Sequence, residues 1–349
     1  MEKQLTLIID KLINEIGQVQ VLGDDKKVIT DVTADSRVVE NGSLFICLKG
    51  ATVDGHKFLK MAVEKGAVAA LVEDVPEEIP AGVTLLVVPD TRKAMEAVVP
   101  FFFDYPGKNM RMLGITGTNG KTTTTNIIRT VLRKAGYKVG LIGTINIMIE
   151  DEAVEAHNTT PDVVDLQKAL FAMKNAGCDY VVMEVSSHAL VLNRVAGCEY
   201  DCAVLTNITQ DHLDFHKTLE NYRDAKSLLF EGLANGVKEN KNAVFNMDDA
   251  SSEIIKARTK VNCLTYGKEH TNDIYPISFN VQAKEMQLKL ATPVGEMDLN
   301  LKITGEFNVY NVMSAVACLL AEKIDKEIIC DVLNGFAGVP GRFQLVEAG

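Results

Sequence analysis

The residues with the clearest chemical potential lie at 113–123, LGITGTNGKTT. Apolar Met112, Leu113 and Ile115 suit a buried strand, and Gly117 and Gly120 allow a loop whose backbone amides turn toward an anion with no Cβ in the way. Lys121 then stands where the β and γ phosphates of a nucleotide would lie, and the Thr122 hydroxyl suits Mg²⁺. From Thr122 to Leu132 the pattern is helical, so its first amides and its dipole would favour the same anion. Together with Thr118, Asn119 and Thr123, these residues form the candidate ATP cradle. The spacing departs by one residue from G-x-x-x-x-G-K-[ST], because Ile115 stands where that pattern has its first glycine. A plain strand-turn-helix explains the glycines but not the lysine and threonine that follow them.

Three further segments place reactive side chains in or after apolar runs. MEVSSHAL offers Glu184, Ser186, Ser187 and His188; TNITQDHLDFH offers Asp211, His212, Asp214 and His216; YRDAKSLLF contains Lys226. Each has an ordinary use: Glu184 as a helix cap, His212 and His216 as a packed i,i+4 pair, Lys226 on a solvated face. Beside a phosphate cradle they become candidates for the rest of a Mg²⁺-nucleotide site. Mg²⁺ takes a carboxylate, phosphate oxygens and waters, and a histidine can fill a further position. DHLDFH also admits a zinc reading, weakened by the absence of the glutamate of H-E-x-x-H.

The elements that must hold these groups follow from length and periodicity. A chain of 349 residues suggests two domains or a little more. Within residues 1–107, short apolar runs (VITDVTADSR, SLFICLKG, AVAALVED, VTLLVVPD) read as strands and FLKMAVEKG and TRKAMEAVVPFFF as helices, a small α/β unit. YPGKNMR at 105–111 reads as the linker into a second domain, 108–340. There strands at 112–116 and 138–143, in CDYVVMEVSS and in CAVLTNIT alternate with helices at 121–135 and 163–176. This predicts a P-loop-like, mostly parallel sheet with helices on both faces and ligands at the carboxyl ends of its strands. Residues 275–303 read as a hairpin turning at TPVGE, and 308–322 and 325–335 as helices. The turn-rich stretch at 341–349 reads as the start of a linker to a further, absent domain.

Composition excludes several classes. With 47% hydrophobic and 24% charged residues the chain is not largely disordered, and a net charge of −11 argues against nucleic acid as a partner. No run approaches the roughly 18 apolar residues of a membrane span, and the N-terminus reads as an amphipathic helix rather than a signal peptide, so a cytoplasmic protein is expected. The seven cysteines are scattered, with no C-x-x-C pair, and suggest neither zinc nor a disulfide framework.

In order and spacing, GTNGKTT, EVSSHAL, TNITQDHLDFH, YRDAKSLLF, GEFNVYN and GVPGRF resemble the Mur ligases, the ATP-dependent amide-forming enzymes of peptidoglycan precursor synthesis. The resemblance covers essentially the whole chain. DSR at 35–37, DGHKF at 54–58, NTTP at 158–161 and SSHALxxxR at 186–194 resemble the subgroup that adds the third residue of the stem peptide. The resemblance implies that Ser36 and His56 contact the uridine nucleotide of a UDP-sugar. It also implies that Asn158, Thr159, Thr160, Ser186 and Arg194 hold the muramoyl-dipeptide, the arginine fork pairing with a carboxylate. Thr122, Glu184, His212 and Lys226 match the family's Mg²⁺ positions, Lys226 as a CO₂ adduct, and Asn308 and Arg342 match its contacts to adenine and ribose-phosphate.

The implied partners are UDP-MurNAc-L-Ala-D-Glu and a diamino acid, meso-diaminopimelate or L-lysine, on a monomeric enzyme. The implied reaction begins when the D-Glu carboxylate attacks the γ-phosphoryl group of ATP, with Lys121, Glu184, His212 and Lys226 as the catalytic set. The amine of the diamino acid then displaces phosphate from the acyl phosphate. A third domain of the family has no counterpart after GRF, so the chain is expected to bind its ligands without ligating them. Two alternatives stand beside this one. A ligase like folylpolyglutamate synthetase lacks the UDP-binding first domain, and a non-catalytic UDP-sugar or nucleotide-binding module would need only the binding parts.

Overall fold

The structure, a computed structural model, describes residues 1–50, 53–156 and 158–338, which form two units. The first comprises Met1–Pro106 with Asp162–Phe171 and Asn193–Gly197; the second comprises Gly107–Pro161, Ala172–Leu192 and the chain from Cys198 onward.

In the first unit Leu5, Ile8, Ile9 and Leu12 recur at helical spacing and form the buried stripe of helix Leu5–Ile16, which ends at Gly17 with φ 81°. Asp90 caps helix Thr91–Phe102, its carboxylate accepting the N–H groups of Arg92 and Lys93. Beneath these two helices runs a five-stranded sheet in the order Gln20–Leu22, Thr84–Val87, Ala69–Val72, Ser43–Ile46, Asp31–Thr33, parallel except for the first pair. Successive strand residues face opposite layers: Leu44, Leu71 and Leu86 join the core under the two long helices, and Phe45, Ala70 and Leu85 join the core of the other face. Burial on both faces explains the uninterrupted apolar runs.

The second unit is built on eight strands. Six are parallel, in the order Val139–Ile142, Tyr180–Glu184, Arg111–Thr116, Cys202–Leu205, Asn242–Asn246, Asn262–Tyr266, and a hairpin of Asn146–Ile149 with Glu152–Glu155 extends the first edge. Arg111–Thr116 therefore lies between Tyr180–Glu184 and Cys202–Leu205, and the three loops leaving these neighbours meet at one end of the sheet. Leu113, Ile115, Val182 and Val204 pack with Ile127, Ile128 and Val131 of helix Lys121–Lys134 and with Val312, Val316 and Leu319 of helix Phe307–Ala321. The latter helix is buried on nearly every side, its polar Asn308, Asn311 and Ser314 included.

Two local features depart from the sequence-based expectation. Residues 275–303 form three antiparallel strands, Tyr275–Val281, Met286–Ala291 and Met297–Leu301, rather than one hairpin. TPVGE joins the second to the third. The first turn, 282–285, contains neither glycine nor proline and gives no local signal. The Asn146–Glu155 hairpin is half-buried or exposed along its whole length, so it lacks an alternating apolar face. Among the described residues no helix is long and apolar enough to cross a membrane.

One buried side chain ties the sheet to the site. The Tyr266 hydroxyl reaches the Leu205 carbonyl at 3.0 Å and the Thr206 carbonyl at 3.3 Å, where the Cys202–Leu205 strand gives way to its loop. Tyr266→Phe deletes that donor in a fully buried setting and is expected to cost about 1–2 kcal/mol. Urea unfolding should show a lower midpoint with an unchanged slope; a midpoint equal to that of the wild type would show that the bond is worth nothing.

Candidate active site

The phosphate loop leaves the Arg111–Thr116 strand and ends at the first turn of helix Lys121–Lys134. Gly117 and Gly120 have φ of 147° and 90°, in the region that favours glycine. Space imposes the same choice: a Cβ on Gly117 would lie 1.9 Å from Thr206 Oγ1, and one on Gly120 2.2 Å from Asn311 Oδ1. The segment 206–207 holds the loop in shape. Thr118 N–H donates to the Asn207 carbonyl at 2.8 Å, Asn119 N–H to Asn207 Oδ1 at 3.0 Å, and the Thr206 hydroxyl to the Asn119 carbonyl at 2.6 Å. Lys121 Nζ folds back onto the Gly117 and Thr118 carbonyls, at 2.8 and 2.9 Å.

Glu184 ends its strand beside this loop with 1% of its surface exposed. Its Oε2 accepts from the hydroxyls of Thr122 at 3.1 Å and Thr144 at 2.9 Å, and its Oε1 accepts the Thr144 N–H at 3.1 Å. Among the described residues no cationic side chain pairs with it. The cap of the following helix, Ser187–Val191, is Ser186 rather than Glu184: its hydroxyl accepts the Ala189 N–H at 3.2 Å. Thr160, buried, donates its hydroxyl to the Glu184 carbonyl at 2.9 Å and accepts the Ser186 N–H at 3.0 Å. Thr159 lies 3.2 Å from the Thr144 hydroxyl, and Asn158 is exposed. Thr122, Glu184, Thr159, Thr160 and Ser186 are thus brought together.

Lys226 is not on a solvated face. It lies on the inner side of helix Leu219–Asn235 with 1% of its surface exposed, and its Nζ shares the Gly117 carbonyl with Lys121, at 2.9 Å. Burial, and after it the Lys121 charge, hold this amine well below the ordinary lysine value, while Asp211 works weakly in the other direction. The side chains of Lys226 and His212 converge on Tyr222: Nζ is 4.5 Å from the ring centroid and the imidazole 6.2 Å. His212 takes a left-handed backbone, φ 51°, and its ring meets His188 edge to face at 4.9 Å. His216 is buried with Nε2 2.9 Å from Ser187 Oγ; burial and the nearby His188, Lys226 and His212 lower its pKa. Among the described residues no three His, Cys, Asp or Glu side chains are grouped to hold a metal ion.

Asn308 lines a cavity of about 560 Å³ that opens at the start of the phosphate helix, with Gly120, Thr123, Asn207, Phe307 and Tyr310 among its walls. Its amide is fixed on both sides, Nδ2 donating to the Thr304 carbonyl at 2.7 Å and Oδ1 accepting from Asn311 at 2.8 Å. Arg342 and most of GVPGRF lie outside the described residues. In the first unit Ser36 is buried, between Asp35 and an exposed Arg37 that pair through two nitrogens. His56 Nε2 accepts the Glu73 N–H at 2.9 Å, so Nδ1 carries the proton and donates to Asp54 at 2.7 Å. Both ring nitrogens therefore have partners within the unit. Arg194 belongs to the first unit, and Ser186 and Asn158–Thr160 to the second.

Comparison with known proteins decides the family. The Mur ligase middle domain matches residues 115–319, and the Mur ligase family catalytic domain matches residues 28–102. The chain belongs to the Mur ligase family. A UDP-N-acetylmuramoyl-L-alanyl-D-glutamate–2,6-diaminopimelate ligase from Bacillus cereus is 44% identical over 340 residues, covering 97% of this chain and 69% of the relative. A solved structure of a ligase of the same name superposes with a TM-score of 0.82 at 27% identity, over all of this chain and 70% of that one. The fold is shared more distantly with the MurF ligase of Thermotoga maritima in complex with ADP, with a TM-score of 0.68 at 21% identity over 91% of this chain and 68% of that one. The chain spans about two thirds of the length of these proteins.

Within this Mur ligase domain, sequence reasoning missed Thr144, Asn207, Asn311 and Tyr222. All four are uncharged residues whose use depends on what the fold sets beside them; Asn207, Asn311 and Tyr222, inside TNIT, GEFNVYN and YRDAKSLLF, sat in segments already singled out, and Thr144 did not. The signal for a buried Lys226 was present: Tyr222, Lys226, Leu229, Phe230 and Leu233 share one helical face.

The buried amine yields a pH prediction. The folded value lies below 10.5 and the unfolded chain keeps the ordinary value, so between the two the unfolded state binds one more proton and stability rises with pH. In CO₂-depleted buffer Lys226→Met is expected to be more stable than the wild type at neutral pH, with the difference shrinking toward pH 10.5. Urea unfolding across that range reads it; a constant difference would show that Lys226 titrates as it does in the open chain.

Proposed function

We propose that this chain carries the acceptor- and nucleotide-binding parts of an ATP-dependent ligase. That ligase joins a diamino acid, 2,6-diaminopimelate by the name of its relatives, to the D-Glu carboxylate of UDP-MurNAc-L-Ala-D-Glu. The observation that carries this reading is Glu184, a buried carboxylate with neutral donors only, set between the phosphate loop and Thr159 and Thr160. A carboxylate of that kind fits a cation whose remaining partners are phosphate oxygens and water. When bound there, Mg²⁺ would neutralise charge building up on the transferred phosphoryl group.

The residues then have separable tasks. Thr122 and Glu184 would hold the metal with His212, and Lys121 would exchange the Gly117 and Thr118 carbonyls for phosphate oxygens. The pocket around Asn308 and Phe307 would take the nucleoside. Lys226, whose amine binds its proton weakly, suits attack on CO₂: the nitrogen lone pair forms the N–C bond, one proton leaves, and a carbamate anion results. In this reading Asn158, Thr159, Thr160, Ser186 and Arg194 orient the acceptor carboxylate, and Ser36 and His56 lie on the uridine side. The match of a Mur ligase family model to residues 28–102 favours this over a folylpolyglutamate-type ligase.

Calorimetric titration tests the assignment directly. The wild-type chain should bind UDP-MurNAc-L-Ala-D-Glu, and Arg194→Ala should weaken that binding by about tenfold or more, the loss of a charge-assisted pair. Glu184→Gln should remove the Mg²⁺-dependent part of nucleotide binding and leave the UDP-sugar affinity, measured without nucleotide, within about threefold. A wild type that binds neither ligand, or a Glu184→Gln variant that binds Mg²⁺-nucleotide as tightly as the wild type, overturns the reading.

A further inference from the structure

Thr144 has no part in the assignment above, yet it touches both halves of the site. It follows the Val139–Ile142 strand, one residue after Gly143, where a Cβ would come 2.5 Å from Glu184 Oε1. The chain therefore runs directly against the carboxylate, and the Thr144 N–H donates to Oε1 at 3.1 Å. Its hydroxyl has two possible acceptors, Glu184 Oε2 at 2.9 Å and Thr159 Oγ1 at 3.2 Å. A threonine hydroxyl carries one proton and serves one of them at a time.

Charge decides which. A carboxylate without a cationic neighbour is the stronger acceptor, because hydrogen bonds to ionised groups are about twice as strong as neutral ones. A cation on Glu184 weakens its pull on that proton, and Thr159 becomes the competing acceptor. Thr159 is followed by Thr160, whose hydroxyl is bonded to the Glu184 carbonyl and the Ser186 amide, so a rotor turning toward Thr159 acts on a segment already fixed at its next residue.

We propose that Thr144 is a positioning residue that couples occupation of Glu184 by a cation and nucleotide to binding of the UDP-sugar at Thr159, by passing its single proton between them. The proposal rests on the ligand assignment of the preceding section. Coupling of this kind is reciprocal: nucleotide tightens acceptor binding by the factor by which acceptor tightens nucleotide binding.

The test titrates UDP-MurNAc-L-Ala-D-Glu into the chain, alone and with saturating Mg²⁺ and β,γ-methylene ATP, for the wild type, Thr144→Ser, Thr144→Val and Thr159→Val. Nucleotide should raise the wild-type affinity by about fivefold or more. The serine variant, which keeps the proton, should retain this factor; Thr144→Val should fall to within about twofold of no coupling while still binding each ligand alone, and Thr159→Val, whose own UDP-sugar affinity is expected to drop, should lose the same factor. A general loss of structure would not be rescued by serine. If Thr144→Val fails to melt cooperatively, Thr159→Val carries the same test from the other end of the relay. Both ligands binding with no coupling in the wild type, or with equal coupling in the valine variants, overturns the role of Thr144 and leaves the ligand assignment standing. A wild type that binds neither ligand overturns the assignment and the coupling with it.

Discussion

Burying a carboxylate away from water costs several kcal/mol unless something replaces the lost hydration. Glu184 meets that cost with two threonine hydroxyls and one backbone amide, none of them charged. This constraint shapes its surroundings. Gly143 has no side chain because any Cβ would strike the carboxylate, and Thr122 must sit in the first turn of the phosphate helix to reach it. Thr160 fixes the main chain of Glu184 and Ser186 through one hydroxyl. Neutral donors stabilise the anion without cancelling its charge, and the charge stays available to a cation.

A second constraint acts on the opposite sign. Lys121 and Lys226 both donate to the Gly117 carbonyl, so two amines compete for one oxygen at the floor of the loop. Two ammonium groups so close repel, and the more deeply buried of them, Lys226, has the weaker hold on its proton. Lys121 stands at the helix start, where an arriving anion would draw it off the carbonyls. The loop's shape does not depend on either lysine, since Thr206 and Asn207 hold the backbone from the neighbouring strand. Charge can therefore be rearranged over a rigid floor, as electrostatic preorganisation requires.

How much of this the sequence reveals depends on how local the cause is. The parallel strands were legible because YVVME and CAVL are buried on both faces and leave unbroken apolar runs. The Asn146–Glu155 hairpin was not, because it has no buried face to impose a period. In the site, the phosphate loop was legible since glycine, lysine and threonine at fixed spacing have few other uses. Glu184 and Lys226 could be singled out by chemistry alone, but their burial could not be assigned. Lys226 shows why: a lysine reads as a surface residue until its helical face is counted, and there the apolar neighbours at 222, 229, 230 and 233 leave it nowhere else to point. Thr144 illustrates the limit, because a threonine after a strand has no distinguishing pattern and gains its use only from a carboxylate forty residues further along the chain.

Sheet topology explains why that distant pair meets. In a parallel sheet every strand delivers its following loop to the same end, so the loops after Ile142, Thr116, Glu184 and Leu205 arrive together although as many as 42 residues separate consecutive ones. Placing Arg111–Thr116 between Tyr180–Glu184 and Cys202–Leu205 sets the phosphate loop between its carboxylate and the segment that braces it. Thr144 enters from one strand further out, past the carboxylate, and from there touches Thr159. An antiparallel arrangement would send alternate loops to opposite ends and separate these groups by the length of a strand. The coupling proposed between a cation on Glu184 and an acceptor at Thr159 then needs no moving domain within this unit, because parallel order has already put Thr144 within a hydrogen bond of both.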